Sequence, residues 1–244
     1  MDCYNDFASV YDRLTTDINY KEFVSYVEKI LLKHGKKPHL ILELACGTGN
    51  MTKEFNLKGY DVIGVDKSKD MLSVAKEKCP DNLLLNQDMT SFELYGTVDA
   101  VVCLLDSVNY VTNDNDLLKM FKLVNNYLEY DGLFIFDINS EHKLLNIIGN
   151  NTFVYDSEEI FYTWENEVIK DKVEFYLNFF IQENGKYQRI EEIHTEKVYK
   201  LDKLIKIIEK SGLEYVASYA DFDLSSPTEM SERIFLVSRK KTLT

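Results

Sequence analysis

Two closely spaced glycines that follow an apolar run are the part of this sequence with the plainest chemical meaning. Residues 41–44 are predicted to form a buried strand, and Gly47 and Gly49 come directly after it. Glycine lets the chain turn sharply and lets a ligand approach the backbone, and the helix predicted next offers unpaired N–H groups at its start. The segment is therefore a predicted site for a nucleotide-like ligand.

The spacing of these glycines separates two kinds of nucleotide ligand. A dinucleotide fingerprint is GxGxxG, whose third glycine allows close packing of helix on strand, but Thr52 stands at that position. A pyrophosphate also favours positive or neutral surroundings, whereas Glu43 precedes the loop. An acid at this place suits a ligand that carries its own positive charge, so an NAD-dependent oxidoreductase is the weaker alternative.

In this loop the sequence resembles the class I S-adenosylmethionine-dependent methyltransferases, close to uncharacterised bacterial small-molecule members of the domain 25 type. Their first motif is an acidic residue, a small residue and a GxG turn, matched by Glu43, Ala45, Gly47 and Gly49. The resemblance implies that this loop, Cys46 included, embraces the methionine part of S-adenosylmethionine as the cofactor.

Further motifs of the same family follow in order along the chain. By resemblance, Asp66 would accept hydrogen bonds from the ribose hydroxyls, and Met71 would lie against the adenine. Asp88 would accept from the adenine amino group, the Met89 backbone would read the ring edge, and Leu104 would face the methionine moiety. A dehydrogenase would use an acid like Asp66 in the same way. Core packing is the alternative for the two methionines, and a solvated carboxylate is the alternative for Asp88.

The N-terminal segment, residues 4–12, resembles the opening of small-molecule members of this family, where aromatic residues close over the cofactor. Tyr4 and Tyr11 are seven residues apart and would share one helical face. Packing of that face on the rest of the domain explains the pattern equally well.

The elements that must position these residues alternate along the chain. From residue 41 to 136, short apolar runs alternate with amphipathic stretches, which predicts a parallel sheet covered on both faces. After residue 200, apolar residues at helical spacing predict a helix, and two further apolar runs predict two more strands. We expect an α/β fold: a doubly wound, seven-stranded, mostly parallel, Rossmann-like sheet formed by residues 1–150 and 200–244.

The hydrophobic pattern changes in residues 151–199, which are β-rich and have apolar residues at alternate positions, such as Val173, Phe175 and Leu177. This pattern predicts a small antiparallel insertion, which we interpret as a lid over a substrate. On its last strand, Arg189 and Glu191 share one face, while Glu192 and His194 share the other.

The hypothesis for the methyl acceptor is that His194, or Glu191 with Arg189, contacts it from above. Residues after the fourth predicted strand would lie below; these are Asp106, Asn109 and Tyr110. Surface charges on an edge strand are the competing interpretation for the insertion residues. A general base is needed only if the attacking atom must lose a proton.

Several observations narrow the acceptor to a small molecule methylated on nitrogen or oxygen. The 28 Lys and Arg against 41 Asp and Glu give a formal charge of −13, which disfavours nucleic acid. The segment after residue 104 lacks the Asn/Asp-Pro-Pro-aromatic signature of base amino methylation. A cofactor-binding regulatory module without catalysis is the third hypothesis.

Cysteine usage and hydropathy suggest a cytoplasmic protein without a membrane segment. No apolar run reaches the roughly 18 residues needed to cross a bilayer. The cysteines at 3, 46, 79 and 103 form no CxxC pair, so we expect reduced, packed thiols and no metal site. A monomer or a homodimer is expected.

Overall fold

Strands and helices alternate through the first half of the chain, as the hydrophobic pattern predicts. The computed structural model describes residues 8, 11–157, 159–183 and 185–242. Its strands are β1 (Leu40–Leu44), β2 (Asp61–Asp66), β3 (Leu83–Asn86), β4 (Val98–Cys103), β5 (Leu128–Asn139), β6 (Thr152–Asp156), β7 (Ile160–Ile169), β8 (Lys172–Glu183), β9 (Lys186–Lys197), β10 (Leu213–Ala220) and β11 (Arg233–Lys240). Its longer helices are α1 (Tyr20–Lys33), α2 (Asn50–Leu57), α3 (Lys69–Lys78), α4 (Asp114–Tyr127) and α5 (Leu201–Lys210).

Seven of the strands form one sheet, in the order β10-β11-β5-β4-β1-β2-β3. The five strands from β5 to β3 are parallel, and β11 pairs antiparallel with both β5 and β10. The predicted doubly wound, mostly parallel sheet is therefore confirmed. Because the chain leaves β1 for β2 on one side and returns as β4 on the other, a crevice forms at the carboxyl ends of these strands.

Side chains of β1 alternate between two apolar cores, one on each face of the sheet. Leu42 and Leu44 pack into the core that α4 and α5 complete, whereas Ile41 packs into the core under α1 and α2. Period-two alternation puts Glu43 on the same face as Ile41, under the start of α2. The fold thus buries an acid directly behind the glycine turn.

The strands β6 to β9 form a separate antiparallel sheet with its own small apolar clusters. Its last strand is tied to the main sheet by Asn109, which lies in a short 3-10 turn after β4. The buried Asn109 amide donates to the Asn139 carbonyl at 3.2 Å and to the Lys197 carbonyl at 3.0 Å. Its oxygen accepts from the Asn139 N–H at 3.1 Å. These bonds fix β9 beside the carboxyl end of β4.

Within the described ranges, no helix has both the length and the apolar character that a membrane crossing requires. The same residues contain no group of three or more His, Cys, Asp or Glu side chains placed to hold a metal ion.

Candidate active site

A cavity of about 950 Å³ opens at the carboxyl ends of β1, β2 and β4. Pockets for small ligands measure roughly 300–1,000 Å³, so this one has room for a nucleoside and a second small molecule. Ten residues predicted to contact the cofactor line it: Tyr11, Glu43, Ala45, Cys46, Gly47, Asp66, Met71, Asp88, Met89 and Leu104. Three residues predicted to contact the acceptor line it as well: Asp106, Tyr110 and His194. Tyr4 lies outside the described residues.

The turn after β1 is left-handed at alternate positions. Ala45, Gly47 and Gly49 have φ angles of 57°, 53° and 78°. Gly49 itself does not line the cavity, because it lies beneath the turn where α2 begins. A Cβ at Gly49 would be 3.0 Å from the Ala75 Cβ, so glycine here lets α2 start close against α3.

Asp66 connects the glycine turn to the start of α3. Its Oδ2 accepts from the Gly47 N–H at 2.8 Å, and its Oδ1 accepts from the Ser68 N–H at 2.8 Å. Ser68 caps α3, with its Oγ accepting from the Met71 N–H at 3.3 Å. Burial raises the pKa of Asp66 above its ordinary value, although both backbone N–H groups oppose the shift. The carboxylate is held rigidly on the cavity wall, where a ligand hydroxyl can donate to it.

Asp88 presents a carboxylate on the far side of the same cavity. Its Oδ1 accepts from both the N–H and the hydroxyl of Thr90, at 2.7 and 2.6 Å. Partial burial acts to raise the pKa of Asp88, but the Thr90 hydrogen bonds outweigh it and the pKa is lowered. Asp88 is therefore ionised, and among the described residues no hydrogen bond occupies its Oδ2.

Glu43 is buried beneath the glycine turn and reaches the cavity from below. The Thr52 hydroxyl donates to its Oε2 at 2.5 Å. Burial raises the pKa of Glu43 to about 8, against the effect of this hydrogen bond. The acid that the sequence places ahead of the loop is therefore mostly protonated at neutral pH when no cation lies beside it.

This raised pKa predicts a pH-dependent stability that Glu43→Gln removes. Because the folded-state pKa lies above the unfolded one, the stabilising contribution is present at low pH and is lost as the pH rises toward 8. The wild-type free energy of unfolding should fall relative to the variant by about 1.4 kcal/mol per pH unit between pH 5 and 8. Denaturant titrations of both proteins across this range measure the difference, and parallel curves would contradict the assignment.

The residues that follow β4 adopt a strained backbone. Leu105 and Asp106 have φ angles of 55° and 53°, which cost non-glycine residues roughly 1–2 kcal/mol each. An ion-pair network holds this conformation: Arg233 Nη2 donates to Asp106 Oδ1 at 2.9 Å, and Arg233 Nη1 pairs with Asp137. The Asp106 N–H also donates to Asp137 Oδ2 at 3.1 Å. The network fixes the Asp106 carboxylate at the cavity wall.

Glu196, near the end of β9, supplies a second fixed partner to Asp106. Burial, and next the neighbouring Asp106 charge, raise the pKa of Glu196 well above its ordinary value, which favours a protonated carboxyl able to donate to Asp106. Asn139 Nδ2 donates to Glu196 Oε2 at 3.0 Å. The end of β9 is thus joined to the segment that follows β4 by a carboxyl pair.

Tyr110 and His194 lie against each other on the cavity wall. Their rings are 5.8 Å apart between centroids, in an edge-to-face arrangement. Burial among protein groups raises the pKa of Tyr110 well above its ordinary value, while the 41% of its surface that stays accessible faces the cavity. Burial, together with Lys67, lowers the pKa of His194. The site therefore offers a neutral phenol and a neutral imidazole.

Three residues predicted to contact the acceptor lie away from the cavity lining. Arg189 and Glu191 are on the outer face of β9, where they pair with each other, and Arg189 Nη2 also donates to Asn178 Oδ1 at 2.7 Å. Asn109 is fully buried and its amide is used by backbone groups. The geometry does not support acceptor contacts for these three residues.

Glu192 and Arg233 line the cavity without having been among the predicted contacts. Glu192 shares the inner face of β9 with His194, and strand alternation was the signal that could have found it. Arg233 is 127 residues from Asp106 in sequence, so no local pattern links them.

Comparison with known proteins agrees with this geometry. Residues 41–132 match a family model described as a methyltransferase domain. The Bacillus subtilis (strain 168) protein YqeM, named as a presumed methyltransferase, is 33% identical over 97% of this chain and 97% of its own length. This chain belongs to the class I S-adenosylmethionine-dependent methyltransferases. A solved S-adenosylmethionine-dependent methyltransferase from Clostridium acetobutylicum ATCC 824 is 34% identical, covers 99% of this methyltransferase and 100% of its own chain, and superposes with a TM-score of 0.90.

More distant structures share the fold alone. DesVI of Streptomyces venezuelae is 21% identical, covers 95% of this methyltransferase and 97% of its own chain, and has a TM-score of 0.81. The cofactor of the family is S-adenosylmethionine, and the chemistry of the cavity fits it. Ionised Asp88 and hydrogen-bonded Asp66 provide acceptors for an amino group and for hydroxyls, and the left-handed turn keeps side chains clear of a ligand. The oxidoreductase and non-catalytic alternatives are not favoured.

Proposed function

We propose that this methyltransferase transfers the methyl group of S-adenosylmethionine to a nitrogen or oxygen atom of a small molecule. The observation that carries the proposal is that Asp106, Tyr110 and His194 line the same cavity as the residues that fit the cofactor. A volume of about 950 Å³ is large enough for two small ligands side by side, and residues of both sheets line it. A small acceptor therefore suits it better than a macromolecule.

When bound, the cofactor supplies an activated methyl group on a sulfonium. The protein has to place the attacking atom in line with that methyl and to exclude water. Asp106, held by Arg233 and Glu196, gives a fixed acceptor for an acceptor-molecule N–H or O–H. The Tyr110 phenol can donate a hydrogen bond, and the neutral His194 imidazole can take a proton from the attacking atom.

The strand β9 supports water exclusion, because it carries His194 over the carboxyl end of β4. Its end is anchored by Asn109 and by Lys197, whose Nζ donates to Asp114 Oδ1 at 2.9 Å. We propose that the sheet of residues 151–199 is the substrate lid.

A labelling experiment tests the acceptor class. The protein is incubated with methyl-labelled S-adenosylmethionine and a bacterial extract divided into small molecules and macromolecules by ultrafiltration. We expect label in the small-molecule fraction, and the His194→Gln variant should reduce its rate of appearance by roughly 100-fold or more, because a general base contributes about 10²–10⁴.

Label found only in the protein or nucleic-acid fraction would overturn the small-molecule proposal. The matched control is His142→Gln, since His142 lies outside the cavity lining and contacts Asn146 at 3.0 Å. A rate lost equally in both variants would remove His194 from the mechanism.

A further inference from the structure

Glu192, on β9, is a mostly buried carboxyl that receives no hydrogen bond from the described part of the chain. It lines the cavity and is only 9% exposed. Among the described residues, no side chain or backbone N–H donates to its carboxylate. The neutral His194 imidazole lies beside it, with Nε2 3.8 Å from Oε2. Its oxygens are not among the enclosed polar atoms that lack a hydrogen bond, so the carboxylate faces the cavity, where a ligand can donate to it.

The distance between these two groups limits the kind of donor. A single atom can lie within about 2.9 Å of both Glu192 Oε2 and His194 Nε2, because these atoms are only 3.8 Å apart. A hydroxyl can bridge the two groups by accepting from Nε2 when that nitrogen carries the proton, but His194 can then take no proton there. When Nε2 is unprotonated and ready to receive a proton, the bridging atom needs two hydrogens to donate to both groups. An amine nitrogen has them, whereas a hydroxyl oxygen has one.

The charge of the cavity favours the same donor. Besides Glu43, which is mostly protonated, seven acidic residues line it: Asp17, Glu22, Asp66, Asp88, Asp106, Asp116 and Glu192. The lining contains only two fixed cations among the described residues, Lys67 and Arg233, and Arg233 is engaged by Asp106 and Asp137. A carboxylate or phosphate acceptor would be repelled, while an ammonium group would be attracted.

We infer that Glu192 and His194 together bind the amino group of an aliphatic amine, and that the reaction is N-methylation of such a small molecule. The inference rests on the proposed function and narrows its acceptor to amines. Glu192 is the specificity-determining residue, because it holds the charged form of the acceptor, and His194 receives the proton.

The transfer of the methyl group to the amine conserves atoms and charge. The ammonium group gives one proton to His194 Nε2 and keeps a hydrogen bond to Glu192. The freed lone pair forms the new N–CH₃ bond while the S–CH₃ bond breaks, and that bond's electron pair stays on sulfur. The products are a methylated ammonium ion, S-adenosylhomocysteine and the proton, which His194 releases to solvent.

Methylammonium chloride is a probe small enough for the site, with methanol as its neutral counterpart of similar size. The protein is saturated with S-adenosylhomocysteine, and the His194 ring resonances are followed by NMR as each probe is added. We expect methylammonium to shift them saturably and methanol to leave them unchanged. Glu192→Gln should weaken the methylammonium affinity at least about tenfold, with unchanged affinity for S-adenosylhomocysteine.

Glu191→Gln is the matched control, because the adjacent Glu191 lies on the outer face of β9 and is exposed. Equal shifts from both probes, no shift from methylammonium, or full methylammonium affinity in Glu192→Gln would each overturn the inference. Failure of the wild-type protein to bind S-adenosylhomocysteine would instead overturn the proposed function, so the two failures are distinguishable.

Discussion

Replacing Asp66 with alanine should lower the affinity for S-adenosylmethionine at least about 100-fold. A hydrogen bond to a charged group contributes roughly 1.5–3 kcal/mol, so loss of two ribose hydrogen bonds costs 3 kcal/mol or more. The variant also loses the acceptor for the Gly47 and Ser68 N–H groups, which connects the glycine turn to α3. Both effects weaken cofactor binding, and titration calorimetry measures the affinity for S-adenosylmethionine directly.

The control for this variant is Asp61→Ala, at the other end of the same strand. The Asp61 side chain is 70% exposed and lies away from the cavity lining, so its removal should leave cofactor affinity within about twofold. NAD should not bind the wild-type protein. Retention of S-adenosylmethionine affinity within about threefold in Asp66→Ala would show that Asp66 does not hold the ribose.

Sequence predicts well those helices, caps and turns of this molecule that depend on neighbouring residues in the chain. The apolar spacing of residues 20–33 predicts α1 at its observed bounds, and Ser68 is visible as a cap because its hydroxyl acts within its own turn. The glycine turn is equally local, since left-handed φ angles at Gly47 and Gly49 depend on residue type. The side of the cavity formed by the glycine turn could be predicted from sequence for this reason.

The side of the cavity that β9 lines was harder to predict, because its geometry depends on contacts between segments that are distant in sequence. Alternation along β9 separates the pair Arg189 and Glu191 from the pair Glu192 and His194, but it does not say which face turns inward. The structure shows that Glu192 and His194 line the cavity, and that Asn109 anchors the end of the same strand through the Lys197 carbonyl. The hydrophobic periodicity of the sequence does not reveal that the Asn109 amide is buried.

The buried network around Arg233 is the clearest case of a long-range feature, and its removal should be the most damaging single change. Arg233 pairs with Asp137, which is fully buried, and with Asp106. Arg233→Met leaves two acidic groups without their cation, and breaking a buried ion pair on one side costs about 3–5 kcal/mol. For a chain of this size the melting temperature should fall by roughly 6–20 °C.

Arg239→Met on the same strand is the matched control. Arg239 Nη1 lies 3.1 Å from Asp131 in a partly exposed pair, which is worth at most about 1 kcal/mol. The double change Arg233→Met with Asp137→Leu should recover part of the loss, because it removes the buried charge together with its partner. Calorimetric melting of the four proteins measures these differences. Equal melting temperatures for the two arginine variants would mean that Asp137 is held neutral in the fold, and that Arg233 serves the site rather than its stability.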